Sequence, residues 1–253
     1  MRSRSELLEE RIKVALKPIR KIIGVFSGKG GVGKTAISIN IAAALSLEGC
    51  RVGILDADVD CPNVFLALGI EQPLRIEGNT LIPAEKDGIK VISMAGIQDQ
   101  KTTAILWRGP LVTSALYKMI GSTAWGELDY LVIDMPPGTS DAPLTIMQTV
   151  KPHLIVIVTM PTPIAQTDAH KSINMAMTMG VPCALLENMT GELFGESRGR
   201  GLADQVGIPY LGALPLDKRI REAMDKGRSA VTAYPEYAKQ FHDITKNIKE
   251  LLQ

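Results

Sequence analysis

Residues 28–35 read GKGGVGKT and form the most specific chemical pattern in the chain. A loop of the form G-x-x-x-x-G-K-[ST] surrounds the phosphates of a nucleotide with backbone N–H groups. Its lysine, here Lys34, reaches the β- and γ-phosphates, and the hydroxyl of Thr35 is offered to Mg²⁺. Because glycine has no Cβ, the chain can adopt positive φ and approach the phosphate oxygens closely. We therefore predict these nucleotide-binding residues: Gly28, Lys29, Gly30, Gly31, Val32, Gly33, Lys34, Thr35 and Ala36.

The segments on either side of this loop support the same interpretation. KIIGVF (21–26) is a short β-branched apolar run, and TAISINIAAALSLEG (35–49) has the pattern of a helix closed by glycine. A helix that begins near Gly33 directs the positive end of its dipole at the phosphates. The loop therefore has a predicted strand before it and a predicted helix after it.

Carboxylates follow a second apolar run. The segment ILDADVDCPN (54–63) places Asp56, Asp58 and Asp60 at alternate positions, which share one face of an extended chain. Three neighbouring carboxylates repel one another unless a cation lies among them, and nucleotide-bound Mg²⁺ is the obvious candidate. The alternative interpretation is a solvated acidic loop.

A third apolar run, in LVIDMPPGTSD (131–141), ends in Asp134. At this point a carboxylate can orient a Mg²⁺-bound water, although a structural strand exit is the alternative. We predict that Thr35, Asp56 and Asp134 hold Mg²⁺, either directly or through water molecules. The turn PPG (136–138) that follows is rigid, and beside a γ-phosphate it suits a loop that switches between triphosphate and diphosphate states.

The elements that position these residues are predicted from continuous apolar runs alternating with helix-length segments. Strands that are buried on both faces belong to a parallel sheet. The predicted strands are 21–26, 52–55, 130–133, 154–158, 183–187 and 210–214. The predicted helices are 35–48, 110–120, 164–179, 217–226 and 235–252. This alternation predicts an α/β fold with a doubly wound, mainly parallel sheet flanked by helices.

The termini and one interruption of the alternation complete the predicted organisation. We predict a helical extension over residues 1–19 and one domain over 20–253. Residues 71–106 break the alternation and resemble a small hairpin excursion without an assigned chemical role. The predicted C-terminal helix carries an apolar stripe, formed by Tyr237, Phe241, Ile244, Ile248 and Leu251. Acidic residues in this helix offset the positive charge of its lysines, so we expect the stripe to pack against the core and not to bind a membrane.

Composition excludes several classes of protein. The 253 residues are 45% apolar and 22% charged, which suits one large α/β domain. The net charge of +1 gives no basic field, so we expect neither nucleic acid nor a membrane as partner. The three cysteines form no C-x-x-C pair and suit a reducing compartment. With no apolar signal-peptide core and no charge-free stretch of 18 residues, we predict a cytoplasmic protein.

These motifs together resemble the deviant Walker-A ATPases, the group that includes MinD, ParA and the nitrogenase iron protein. Longer segments resemble the Mrp-type nucleotide-binding proteins, known as iron-sulfur cluster carriers. The segments that carry this resemblance are WRGP (107–110), 125–145, INM (173–175), ENMT (187–190) and 211–228. The resemblance covers nearly all of residues 20–230 and implies the P-loop NTPase fold.

The resemblance also implies an activity and roles for individual residues. It implies ATP and Mg²⁺ as cofactors, slow ATP hydrolysis, an ATP-dependent homodimer, and iron-sulfur scaffold or client proteins as partners. Lys29, five positions before Lys34, would be the signature lysine that reaches the partner subunit's phosphates. Asp58 would help position the attacking water, so the catalytic candidates are Lys29, Lys34 and Asp58. Asn188 and Pro215 would hold the adenine.

The chain departs from the pattern that it resembles at two places. Ala36 stands where a second hydroxyl residue often follows the P-loop threonine, and nucleotide binding should survive this loss. Mrp-type carriers have a C-x-x-C shortly after the Asn-Met segment, whereas here TGELFGESRGRGLA (190–203) contains no cysteine. Two copies of such a pair would supply four thiolates to one cluster. Cys61 is the only candidate thiol, and two copies of it would supply two.

Two other functions stay open at this point. One is a positioning ATPase of the ParA or MinD type that binds a surface or a partner in its ATP state. The other is a nucleotide sensor with little turnover, although a sensor has no need of an acidic trio that positions water. Resemblance in fold alone does not separate these functions.

Overall fold

The computed structural model describes residues 4–97 and 109–253. Trp107 and Arg108, which carry part of the resemblance to Mrp-type proteins, lie outside the described residues, as do positions 98–106 of the predicted excursion. The strands, numbered in chain order, are β1 (Ile19–Phe26), β2 (Val52–Asp56), β3 (Arg75–Glu77), β4 (Thr80–Ile82), β5 (Ala84–Lys86), β6 (Ile89–Ser93), β7 (Leu128–Asp134), β8 (Leu154–Thr159), β9 (Cys183–Thr190) and β10 (Tyr210–Pro215).

Eight of these strands form one sheet in the order β10-β9-β8-β1-β7-β2-β6-β5. Neighbouring strands are parallel except at the edge, where β5 runs antiparallel to β6. Every residue of β2 and β8 is buried, because helices cover both faces of the sheet. All six predicted strands are present, so the interpretation of continuous apolar runs as two-sided strands is confirmed.

Helices connect the strands and cover the sheet. They are α1 (Arg4–Leu16), α2 (Lys34–Leu47), α3 (Val64–Ala67), α4 (Gly109–Gly121), α5 (Asp141–Val150), α6 (Pro163–Thr178), α7 (Gly199–Val206), α8 (Lys218–Asp225), α9 (Ala230–Ala233) and α10 (Pro235–Leu251). The five predicted helices are all present, and each of their bounds lies within one residue of the prediction. Within the described residues, no helix is both long enough and apolar enough to span a membrane.

The prediction for residues 71–106 is partly wrong. β3 and β4 do form a separate antiparallel hairpin. The next apolar segment, however, is β6, which pairs in parallel with β2 inside the main sheet. Four of its five residues are buried, because the segment IKVIS completes the hydrophobic layer beside β2. Four helices, α3, α5, α7 and α9, were not predicted from the sequence.

The first and last helices of the described chain pack against helices that cover the sheet. Ile12 of α1 is fully buried, and α1 packs against α4 and α5. The division of the chain at residue 19 stays a prediction. In α10, Tyr237, Phe241, Ile244 and Ile248 are buried against the body of the protein, and α10 packs on α2. The predicted core packing of this apolar stripe is confirmed, apart from Leu251, which is 41% exposed.

Candidate nucleotide site

The loop after β1 lies at the carboxyl edge of the sheet, between the strand and the N-terminus of α2. Gly31 and Gly33 have φ of 82° and 85°, which only glycine adopts without strain. Gly33 is the residue that caps the start of α2. The backbone N–H groups of the first helical turn have no partner within the helix, so they are available to an anion here.

The carboxylate of Asp134 accepts three hydrogen bonds from the first turns of α2. Lys34 Nζ lies 2.8 Å from Asp134 Oδ1, and Thr35 Oγ1 donates to Asp134 Oδ2 over 2.7 Å. Ser38 Oγ, also 2.7 Å from Oδ1, is the third donor. Asp134 and Lys34 are both buried. The structure therefore joins Lys34, predicted to bind phosphates, with Thr35 and Asp134, which were predicted as Mg²⁺ ligands.

Ser38 was not predicted from the sequence. The signal that could have found it is its spacing, because residues four apart lie on the same face of a helix and Ser38 is one turn after Lys34. A fully buried serine needs a hydrogen-bond partner, and Asp134 accepts a hydrogen bond from its hydroxyl group.

Asp56 lies next to Asp134 across the β2–β7 ladder and is fully buried. Its Oδ2 accepts hydrogen bonds from Ser93 Oγ at 2.9 Å and from the backbone N–H of Val64 at 3.1 Å. Burial, followed by the negative charge of Asp134, raises the pKa of the Asp56 carboxyl to about 7. Ser93 was also missed, because it ends β6, whose place beside β2 was not predicted.

This charge arrangement fits a divalent cation bound together with a nucleotide. Two buried carboxylates, Asp56 and Asp134, face a single buried lysine, Lys34, so negative charge is in excess. Oxygen ligands of this kind, with the Thr35 hydroxyl, are those that Mg²⁺ prefers. In the described part of the chain no group of three or more His, Cys, Asp or Glu side chains is placed to hold a metal ion. A cation at this position would therefore depend on phosphate oxygens for its remaining ligands.

An open cleft with a volume of about 650 Å³ lies above these residues. Asp58 lines it, and burial raises the pKa of this carboxyl. The walls are formed by the P-loop, the segment after β2, α3 and the end of α8. The lining residues are Ser27, Gly30, Gly31, Gly33, Lys34, Thr35, Ala36, Asp58, Cys61, Asn63, Leu66, Ala67, Pro137, Met224 and Asp225.

Seven predicted site residues lie outside this lining: Gly28, Lys29, Val32, Asp56, Asp134, Asn188 and Pro215. Lys29 is half-buried, and its backbone carbonyl accepts a hydrogen bond from Ser27 Oγ at 2.9 Å. Asn188 contacts the P-loop from the other side, where its Nδ2 donates to the carbonyl of Val32 over 2.9 Å. Pro215, at the end of β10, is exposed. The geometry assigns Asn188 a structural contact with the loop, and its predicted contact with adenine stays a prediction.

Of the three cysteines, Cys61 alone is exposed, and it lies at the cleft. Burial raises the pKa of the Cys50 and Cys183 thiols, which disfavours the thiolate form that binds metals. The segment in which the C-x-x-C was expected forms a tight turn, closed by two backbone hydrogen bonds between Gly191 and Gly195. Cys61 is therefore the accessible thiol nearest to the nucleotide site.

Similarity to known proteins extends over nearly the whole chain. A family model described as ParA, NUBPL iron-transfer P-loop NTPase, matches residues 18–249. The chain is 39% identical to an iron-sulfur cluster carrier protein of Methanocaldococcus jannaschii, over 97% of this chain and 89% of that one.

Solved structures are similar as well. One is a nucleotide-binding protein of Archaeoglobus fulgidus in complex with ADP, with a TM-score of 0.79 and 34% identity over 92% of this chain and 96% of that one. MinD of Pyrococcus horikoshii, complexed with Mg-ADP, has a TM-score of 0.70 at 24% identity over 92% and 97%. These likenesses confirm the predicted doubly wound, mainly parallel fold.

Proposed function

The chain belongs to the ParA family of NUBPL iron-transfer P-loop NTPases, and from this we propose that it is a dimeric, ATP-hydrolysing switch that serves iron-sulfur cluster transfer. The observation that carries the proposal is the set of hydrogen bonds from Lys34, Thr35 and Ser38 to Asp134 beneath an open cleft. The resemblance to iron-sulfur cluster carriers that the sequence indicated is confirmed by this membership.

The residues of the P-loop would bind and orient the triphosphate. The backbone N–H groups around Gly31 and Gly33 would surround the phosphates, and the Lys34 ammonium group would exchange its contact with Asp134 for contacts with the β- and γ-phosphates. Thr35, Asp134 and Asp56 would hold Mg²⁺, directly or through water, and the ion would offset phosphate charge. Asp58, half-buried at the cleft, is placed to orient an attacking water.

Hydrolysis is proposed to be slow and to depend on dimerisation. Lys29 belongs to the P-loop, yet its side chain is outside the lining of its own cleft. A cation supplied by a second subunit acts like an arginine finger, which accelerates phosphoryl transfer by about 10³ to 10⁵. Lys29 of each subunit would complete the site of the partner, so a monomer would bind ATP without efficient turnover.

In this proposal the iron-sulfur cluster is cargo that the protein passes on. The relative from Methanocaldococcus jannaschii is named as a carrier of such clusters. Two copies of Cys61 in a dimer offer two thiolates where a cubane cluster usually has four, so we propose that a scaffold or client protein supplies the remaining ligands. The three free cysteines suit a reducing compartment, and a cytoplasmic location is part of the proposal.

The ParA or MinD type of positioning ATPase has less support. Such a function needs a surface for lipid or DNA, but α10 buries most of its apolar stripe and the net charge is only +1.

Anaerobic reconstitution with iron and sulfide tests the cargo part of the proposal. Iron per dimer and visible absorption are measured for the wild type and for Cys61→Ser, with Cys183→Ser as the buried-thiol control. We expect substoichiometric iron in the wild type and the control but none in Cys61→Ser, with the iron rising when a scaffold protein is added. A stoichiometric cluster that survives Cys61→Ser would contradict the role of this thiol. ATP turnover and ATP-dependent dimerisation, followed by phosphate release and light scattering, test the switch.

A further inference from the structure

Two glycines from distant parts of the chain meet where α3 and α8 end. Gly69 follows α3 and Gly227 follows α8, with φ of 63° and 69°. A Cβ at Gly227 would lie 2.7 Å from Gly69 Cα, and a Cβ at Gly69 would lie 3.0 Å from Gly227 Cα. Both partners are backbone atoms, which cannot rotate away as a side chain can. A Cβ at Gly227 would therefore force the ends of α3 and α8 apart, and one at Gly69 would require a smaller shift.

The other end of α3 is tied to the acidic segment of the nucleotide site. The first N–H of the helix, that of Val64, donates to Asp56 Oδ2 over 3.1 Å. The segment between Asp56 and Val64 carries Asp58 and Cys61, both of which line the cleft. A displacement of α3 would therefore move the proposed water-orienting carboxylate.

The helix α8 forms the opposite wall of the same cleft. Met224 and Asp225, in its last turn, line the cleft together with Leu66 and Ala67 of α3. The start of α8 is fastened to α10, because Arg219 forms an ion pair with Glu236 and also binds Asp217. The beginning of α8 is thus anchored on α10, and its end rests on α3 through the glycine pair.

We propose that the backbone contact between Gly69 and Gly227 couples nucleotide occupancy at the α8 wall to the position of the segment that carries Asp58. The inference rests on the proposed function as an ATP switch and assigns a positioning role to two residues that contribute no side chain to the site. A nucleotide that presses on Met224 and Asp225 shifts the end of α8, and the contact transmits this shift to α3. Because the N–H of Val64 donates to Asp56, the shift of α3 then displaces Asp56 and the residues that follow it.

The chain offers a matched control for a test of this contact. Gly180 occupies the same position after α6, with φ of 66°, and no atom of the described residues lies within 4 Å of a Cβ built on it. Its N–H donates to the carbonyl of Met177 over 3.0 Å, just as Gly227 N donates to Met224 O over 2.9 Å. Gly180→Ala therefore measures the cost of alanine at positive φ, and Gly227→Ala adds the clash with Gly69.

Steady-state kinetics and amide hydrogen exchange are measured for the wild type, Gly227→Ala and Gly180→Ala. We expect kcat for ATP hydrolysis to fall about tenfold in Gly227→Ala with KM changed by less than about threefold, and Gly180→Ala to match the wild type. We also expect ATP to slow exchange in both α2 and α3 of the wild type and the control, but only in α2 of Gly227→Ala. Equal kinetics and equal α3 protection in the two variants would overturn the inference.

A second variant keeps the contact testable if the first does not fold. Should Gly227→Ala fail to fold, Gly69→Ala, whose built Cβ has the longer contact of 3.0 Å, takes its place with the same expectations. Absence of ATP turnover in the wild type would contradict the proposed function. The exchange measurement requires only nucleotide binding, so it still decides whether the glycine pair couples the two helices.

Discussion

Lys34 and Asp134 form a buried ion pair, with Nζ of the lysine 2.8 Å from Oδ1 of the aspartate. The two residues are a hundred positions apart and come from the start of α2 and the end of β7. Without a nucleotide Lys34 pairs with the carboxylate of Asp134, and with a nucleotide bound it would pair with phosphates. The lysine would stay buried in both states, because both anions lie in the same site. The pair therefore holds the P-loop lysine in place before a nucleotide arrives.

The two P-loop lysines are expected to have separable roles. Lys34→Ala should lose nucleotide binding, because it removes the charge that contacts the β- and γ-phosphates and leaves Asp134 without its cation. Lys29→Ala should bind ATP with wild-type affinity but lose ATP-dependent dimerisation and turnover, by about 10³-fold or more. Titration of a fluorescent ATP analogue into both variants, with phosphate release, separates these outcomes. Wild-type turnover in Lys29→Ala would refute the contribution from the partner subunit.

Asp134→Asn should destabilise the protein in the absence of nucleotide. The substitution breaks the buried ion pair by removing the charge of the carboxylate that is hydrogen-bonded to Lys34, which costs about 3–5 kcal/mol of unfolding free energy. Ser38→Ala is the matched comparison, because it removes one hydrogen bond to the same carboxylate and should cost about 1 kcal/mol. Urea denaturation at neutral pH measures both values. Similar losses in the two variants would show that the ion pair has little importance for stability.

The contact between Gly33 and Asn188 is expected to control the shape of the P-loop. A Cβ on Gly33 would lie 2.4 Å from Asn188 Nδ2, in addition to the strain of a φ of 85°. Gly33→Ala should therefore abolish nucleotide binding, and adding Asn188→Ala should restore part of it by relieving the clash. Gly207→Ala, with φ of 74° and no atom of the described part of the chain within 4 Å of its Cβ, controls for conformational strain alone.

Binding of a fluorescent ATP analogue to the Gly33 and Asn188 variants completes this double-mutant cycle. Additive effects of the two substitutions would mean that the contact with Asn188 does not shape the loop.

Glu48, after α2, is expected to contribute pH-dependent stability through α10. Burial acts to raise its pKa, but hydrogen bonds from Lys249, Thr245 and His242 outweigh it, so the pKa is lowered in the folded state. The stabilisation is present above the unfolded pKa of about 4.3 and is lost as the pH falls through the lower folded pKa. Glu48→Gln should cost about 1–2 kcal/mol at pH 7.

Urea denaturation of the wild type and Glu48→Gln at several pH values measures this contribution. The difference between them should shrink below about pH 4, as the native carboxylate is protonated. Glu71→Gln, at an exposed position, is the control substitution and should leave the unfolding free energy at pH 7 close to that of the wild type. A difference between wild type and Glu48→Gln that stays constant down to about pH 3 would contradict the assignment.

The nucleotide loop and the strands were determined by the sequence itself, because their signals are local. GKGGVGKT is contiguous, and its glycines and Lys34 act on a ligand through adjacent backbone, so no distant segment is needed to identify it. Continuous apolar runs such as that ending in Asp134 similarly report burial on both faces of a strand. The alternate spacing that singled out Asp56 and Asp58 is also a property of adjacent residues.

Only the tertiary structure decided which distant residues complete the site. Ser93 reaches Asp56 because β6 lies beside β2, and Asn188 reaches Val32 because the loop after β1 lies near the end of β9. The contact between Gly69 and Gly227 likewise joins the ends of two helices that are remote in the chain. Such contacts depend on strand order and on close packing between layers. A local pattern of apolar and polar residues carries no information about either, because it describes how a segment is buried and not which segment covers it.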